Sequence, residues 1–388
     1  MQHDWRGLPL TGAGGDVASR LGAFQVDFQN FHDDAAAIAD VAAGAPGCLA
    51  AQVYAAAMHL FAQVAAEVEG GAVPLLDGAA GLVDAATPRE QFLYRAVRAW
   101  ADGDFGTSLH HFEDLLARWP EDVTAVKLAE FVLFESPDFP RHMRLMDSVA
   151  AANEDLACFG AMHAFAHELN GHYREAQRLA ERALALDTDT PWAHHALGHV
   201  LLNAGRWDEG IATLAGAMPS WDGHGVGIRG HNSWHLALLH LAVGDVARAL
   251  ALYRDRFSEQ DPASAFEHTD AVSLLWRLEL MGERVDPALW APIVPYAEKR
   301  AADRIFPFMN AHYLYALVRA GRADAARDAL AELSGPAGPA SPAWQVGLPL
   351  LQGVVALAAE DWSGAAASMA PVVDTVACVG GSDAQNDL

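Results

Sequence analysis

The stretch NGHYREAQRLAERALALDTDTPWAHHALGHVLLNAGRWDEG, residues 170–210, decides the fold. It reads as turn, helix, break, helix and turn. After Gly171, apolar residues recur at three- and four-residue spacings up to Leu186, the pattern of an amphipathic helix. Thr190 is placed to cap the next helix, Pro191 takes its first position, and Gly205 lies just past its end. A further helix opens at Trp207 and is expected to run beyond Met218.

The same unit recurs as VGDVARALALYRDRF (243–257) and AGRADAARDALAEL (320–333). Looser copies are ADGDFGTSLHHFEDLLARWP (101–120) and AEDWSGAAASMAPVV (359–373). The turn glycines Gly171, Gly205, Gly244, Gly282 and Gly321 are 34, 39, 38 and 39 residues apart. A period of this length resembles tetratricopeptide repeats, which stack helical hairpins. The expectation is an all-α, right-handed superhelical solenoid of about seven hairpins over 91–388, one continuous domain, preceded by a helical cap over 1–90. FQNFHDDAAAIADVAAGAP and CLAAQVYAAAMHLFAQVAAEV are read as the helices of that cap, GAGG (12–15) as a flexible loop and PAGPASP (336–342) as a loop within the array.

Composition narrows the function. The chain has 388 residues, 52% of them hydrophobic, enough to bury a large core. Its net charge of −25 repels phosphate backbones and anionic lipid heads, so neither nucleic acid nor a membrane surface is an expected partner. No signal peptide or membrane span is read, and Cys48, Cys158 and Cys378 are too scattered for a disulfide or zinc framework, so a cytoplasmic location is expected. No dinucleotide fingerprint, phosphate-binding loop, EF-hand or CxxC occurs.

Histidine is the unusual feature: 12 of the 18 fall between His163 and His312. Distance back from each turn glycine gives the face of the first helix on which a residue stands. His195 and His199 lie 10 and 6 residues before Gly205, His231 and His235 lie 13 and 9 before Gly244, and His312 lies 9 before Gly321. At about 100° per residue these five share one arc of roughly 100°. Trp234, Ser273, Trp276 and Tyr315 share it, in the position from which such repeats contact ligands. His163, His167 and His240 fall on the other side and His194 off the arc, and these are read as structural.

The pairs His195/His199 and His231/His235 are each one helical turn apart, so either pair can hold a single metal ion. Neutral imidazole suits zinc or another divalent transition metal. Three histidines with an open position would lower the pKa of bound water, a hydrolase-like site. Asp270 is placed to orient an imidazole or to serve its helix N-terminus, and Arg277 to hold an anionic group or to pair with Glu267 or Asp270. Metal binding, a metal-free polar pocket and mutual packing of histidines all remain open on this pattern.

PWAHHALGHV (191–200), HNSWHLALLHLAVGD (231–245), DAVSLLWRLELMG (270–282), FMNAHYLYAL (308–317), VGLPL (346–350) and GGSDAQNDL (380–388) together resemble the tetratricopeptide repeat protein 38 family, over residues 150–388 in order and spacing. The resemblance implies the helical-repeat fold, adds Asn232 and Asn310 to the site residues, and includes His163. Where relatives often carry an acid beside Asn310, this chain has Ala311, and the family usually continues with helices past the position of Leu388. No reaction is implied. Two functions follow: a groove site for a small molecule, an enzyme if its histidines hold a metal, or an adaptor whose groove takes a peptide or partner protein.

Overall fold

A computed structural model describes residues 2–62, 71–136, 138–257, 265–304, 306–335, 342–386 and 388. The reading of 63–68 as helix and of 336–341 as loop lies outside these residues. The chain clusters into two compact units. One comprises Met1–Phe134, Asp138–Gly205 and Ala212–Asn232, the other Glu135–Pro137, Arg206–Ile211 and Ser233–Leu388.

The fold is an all-α helical-repeat solenoid. From Pro88 onward, helices follow in pairs: Pro88–Ala101 with Phe105–Leu116, Val123–Glu135 with Phe139–Asn153, Ala157–Glu168 with Tyr173–Leu186, and Pro191–Asn203 with Trp207–Ala217. Val226–Ala242 with Val246–Arg256, Ala265–Leu280 with Val294–Arg300, Pro307–Arg319 with Ala323–Leu333, and Pro342–Ala358 with Trp362–Met369 complete the series. Among the described residues that makes eight pairs, one more than the seven or so expected. The extra pair has no turn glycine; Asp138 caps its second helix by accepting from the Arg141 amide at 3.1 Å.

The five turn glycines read from the sequence, and Gly103, all have positive φ, between 69° and 87°. There an L side chain crowds the carbonyl, so glycine is the cheapest residue for reversing the chain. The last pair breaks the rule: Glu360 occupies the equivalent position at φ 63°. Its amide donates to Leu357 and that of Asp361 to Ala356, the same closing bonds that Gly321 and Arg322 make to Val318 and Leu317.

Packing follows the amphipathic pattern. Helix Tyr173–Leu186 buries Ala176, Leu179, Ala180 and Ala183. Leu179 and Ala180 join Ala164, Phe165, Leu169, Ala196 and Leu197 in one core cluster of the first unit. The helix after Trp207 stops at Ala217 and continues as a 3-10 turn, Met218–Gly223, shorter than expected.

The N-terminal part departs most from the expectation. Gly15 opens a helix, Gly15–Gln29, so only the start of GAGG is loop. The helix expected over FQNFHDDAAAIADVAAGAP is interrupted: Phe31 has φ 58°, a 3-10 turn covers Asp33–Ala37, and Ile38–Gly44 is a short helix. A two-residue antiparallel ribbon, Gln2–His3 with Pro9–Leu10, precedes them. A buried ion cluster fixes it. The Arg89 guanidinium reaches Asp122 at 2.7 Å and Asp4 at 3.6 Å and donates to the Pro9 carbonyl. Thr87 and Glu90 form a capping box that starts the Arg89 helix.

Candidate functional site

In the first unit, His195 and His199 stand one turn apart on helix Pro191–Asn203, with their Nε2 atoms 3.2 Å from each other. The His195 ring lies 5.0 Å from that of His231. It stacks on Trp192 at 4.1 Å and meets the Phe165 ring at 4.8 Å. His195 is 1% exposed and His199 0%. Burial, then the neighbouring His199 and His231, hold the His195 pKa well below the ordinary imidazole value. A neutral imidazole is the form that coordinates metal or accepts a proton.

A carboxylate completes this cluster. Glu168, fully buried on the preceding first helix, places Oε2 3.4 Å from His199 Nδ1, and its Oε1 accepts from Asn203 Nδ2 at 2.8 Å. Glu168 thus lies beside one ring nitrogen of His199, while the other, Nε2, faces His195. Glu168 was missed because no residue other than histidine in its repeat was measured against Gly171. It lies 3 residues before Gly171, about 20° beyond the edge of the histidine arc.

The face that carries these residues is covered by the N-terminal segment. The Lys127 ammonium donates to the carbonyls of Phe28 and Gln29, at 2.5 and 3.1 Å, which closes the C-terminus of helix Gly15–Gln29. It also sits 3.4 Å from the centre of the Phe31 ring, and burial pulls its pKa down to about 7. Phe31 in turn packs 5.2 Å from Trp192, the residue stacked on His195. His224 donates through Nδ1 to the Asn30 carbonyl at 2.8 Å, its Nε2 lies 3.0 Å from Asp189 Oδ1, and the Gly225 amide donates to the Phe31 carbonyl.

Asn232, in the same unit, donates to the Pro191 carbonyl at 3.0 Å and so ties two helices together. His194 accepts from the Trp221 indole at 3.2 Å, the structural role read for it. Cys158 is half-buried and burial pushes its thiol up, which removes nucleophilic character.

The second unit holds the remaining site residues in its own cluster. The Trp234 indole donates to Ser273 Oγ at 3.2 Å and meets the ring of His235 at 4.7 Å. Arg277 donates to Ser273 Oγ and, at 2.7 Å, to the Ala384 carbonyl, while its guanidinium lies 5.3 Å from the Trp234 ring. Arg277 is therefore engaged by the C-terminal segment GGSDAQNDL. Trp276 and Tyr315 stack at 4.0 Å, and the Tyr315 hydroxyl donates to Glu279. His312 pairs through Nδ1 with the Phe308 carbonyl on its own helix, and burial lowers its pKa to about 4. Asn310 directs its amide to the carbonyls of Ala301 and Asp303, a structural use. Asp270 is 2% exposed in the same unit.

His163 and His167 do not behave as isolated structural histidines. Both converge on Asp147 of helix Phe139–Asn153.

The family model described as tetratricopeptide repeat matches residues 169–220. Solved structures with similarity include the human IFIT1 dimer with m7Gppp-AAAA, at 14% identity and TM-score 0.46, covering 86% of this chain and 79% of that one. A Rap protein complexed with competence and sporulation factor shares 10% identity at TM-score 0.43, covering 85% and 98%. The MamA protein shares 14% identity at TM-score 0.35, covering 51% and 98%. No helix among the described residues is long and apolar enough to cross a membrane.

Proposed function

We propose that the first unit encloses a histidine–carboxylate site for a small ligand, with His195, His199 and His231 as its donors and Glu168 as the orienting acid. The observation that carries this is the buried chain Asn203–Glu168–His199–His195. Each link is 2.8–3.4 Å long, and Glu168, His195 and His199 are at most 1% exposed. A run of this kind at a helix interface is a costly way to fill a core, because its polar groups must give up water to enter it. A divalent transition metal such as zinc fits the donor set, and with it the chemistry would be water activation of a hydrolytic kind. His235, Asp270, Ser273, Arg277 and His312 are proposed as a buried polar cluster of the second unit. The motifs PWAHHALGHV and HNSWH support membership of the tetratricopeptide repeat protein 38 family, and the three unlinked cysteines support a cytoplasmic location.

The test is elemental analysis of purified protein together with a metabolite thermal-shift screen, run on the wild type and on Glu168→Gln and His199→Gln. Bound metal or a stabilising metabolite that both variants lose supports the site. Neither metal nor any stabilising metabolite in the wild type sinks it.

An adaptor that takes a peptide is the second reading. It is favoured by an open cleft of about 830 Å³ in the second unit, lined by Glu279, Arg284, Tyr315, Arg319, Glu360 and Trp362.

A further inference from the structure

Helix Phe139–Asn153 and helix Ala157–Glu168 bring three donor atoms together on the first unit, apart from the His195 cluster. His163 Nε2 lies 2.8 Å from Asp147 Oδ1, His167 Nε2 lies 3.2 Å from the same oxygen, and the two nitrogens are 3.2 Å apart. One helical turn separates the histidines, so both rings leave the helix on the same face. The aspartate comes from the neighbouring helix to close the triangle.

With protons alone, both imidazoles donate Nε2–H to the same Asp147 oxygen, which leaves two N–H groups crowded 3.2 Å apart. A cation near the axis of the triangle would replace those protons and be within reach of all three donor atoms. Edges of 2.8–3.2 Å leave a point about 2 Å from each donor, the bond length of zinc to imidazole and carboxylate. Two imidazoles and one carboxylate form a borderline donor set, which suits zinc, cobalt or nickel over calcium or magnesium.

Access fits as well. The two histidine side chains are 12% exposed and that of Asp147 is 50% exposed, so the donors are held by packing while one side stays open to solvent. His163 also borders a cleft of about 220 Å³ lined by Phe159, Gly160, Arg178, Arg182 and Ala183.

We propose that Asp147, His163 and His167 form a binding site for a divalent transition metal of the zinc class, with three protein ligands and water completing the coordination. The site lies on a face that the groove reading leaves unused, and it does not depend on the His195 cluster.

The test uses the full chain, stripped with a chelator and dialysed against zinc chloride, with bound metal counted by mass spectrometry. His163→Gln/His167→Gln is expected to bind about one zinc fewer than the wild type at unchanged helicity. Asp147→Asn is expected to weaken binding at least about tenfold. His195→Gln/His199→Gln keeps this zinc, which separates the two sites. Cobalt substitution gives the wild type the visible bands of a low-symmetry site, and Asp147→Asn alters them. A wild type that takes up no zinc overturns the proposal, as does a folded double variant that binds as much as the wild type. If the double variant unfolds, Asp147→Asn decides alone: unchanged affinity and unchanged cobalt bands overturn it.

Discussion

Glu360 offers the sharpest test of how the repeats are built. It stands at φ 63° where six other turns place glycine. A side chain in this left-handed region costs about 1–2 kcal/mol. Replacement by glycine removes that strain but adds freedom to the unfolded chain, worth about 0.5–1 kcal/mol in the opposite direction. The substitution also removes the Glu360 contact with Arg319 at 3.2 Å. The Glu360 side chain is 66% exposed and Arg319 keeps Glu279 at 2.9 Å, so that loss is between about 0 and 1 kcal/mol. Glu360→Ala isolates the backbone effect, because it loses the same ion pair and keeps the strain. Glu360→Gly should therefore be more stable than Glu360→Ala by about 1 kcal/mol, read from the midpoints of urea unfolding at equal slope. Gly321→Ala, in the same unit, should lose about 1 kcal/mol or more. Equal midpoints for the two Glu360 variants, or a neutral Gly321→Ala, would refute the assignment of the turn position as strained.

Other outcomes follow from the same contacts. Asp122→Ala leaves the buried Arg89 with only the more distant Asp4 carboxylate and should cost about 3–5 kcal/mol, measured by chemical denaturation. Phe165→Ala, from a residue 2% exposed at the centre of the repeat core, should cost about 3–5 kcal/mol by the same assay. Hydrogen bonds from Arg141 hold the Glu113 carboxyl below the ordinary value of 4.5. A lowered folded pKa gives stability that is present above that ordinary value and lost as the pH falls through the folded one. Glu113→Gln should accordingly flatten the acid limb of the stability profile, and an unchanged limb would count against the pair.

The repeat architecture was legible because it rests on local signals: glycine turns, a Thr190–Pro191 helix start and alanine-rich faces. The pair around Asp138 escaped notice because its turn has no glycine, so no ruler existed for that repeat. For that reason Lys127 could not be assigned a face. The histidine arc gathers His195, His199 and His231, whose rings lie close together. It set aside His163 and His167, whose partner Asp147 comes from the helix of that unmarked repeat. Asn232 and Asn310 entered through resemblance alone, and their amides close helix contacts. Phe31 and the segment around it are invisible to periodicity, since their conformation is imposed by Lys127 and His224, far away in the chain.

That distance has a kinetic consequence. Lys127 holds carbonyls 98 and 99 residues upstream, and His224 holds one 194 residues upstream. On the ribosome, at about 5–20 residues per second, the carbonyl of Asn30 waits roughly 10–40 s for His224 to be made. Contacts of such sequence separation form late and slow folding down. Phe28 and Phe31 can meet Phe61 early, but the end of helix Gly15–Gln29 must pass through synthesis without the partners that close it. Chaperone demand should fall on this stretch, and a refolding experiment should show protection there appearing last.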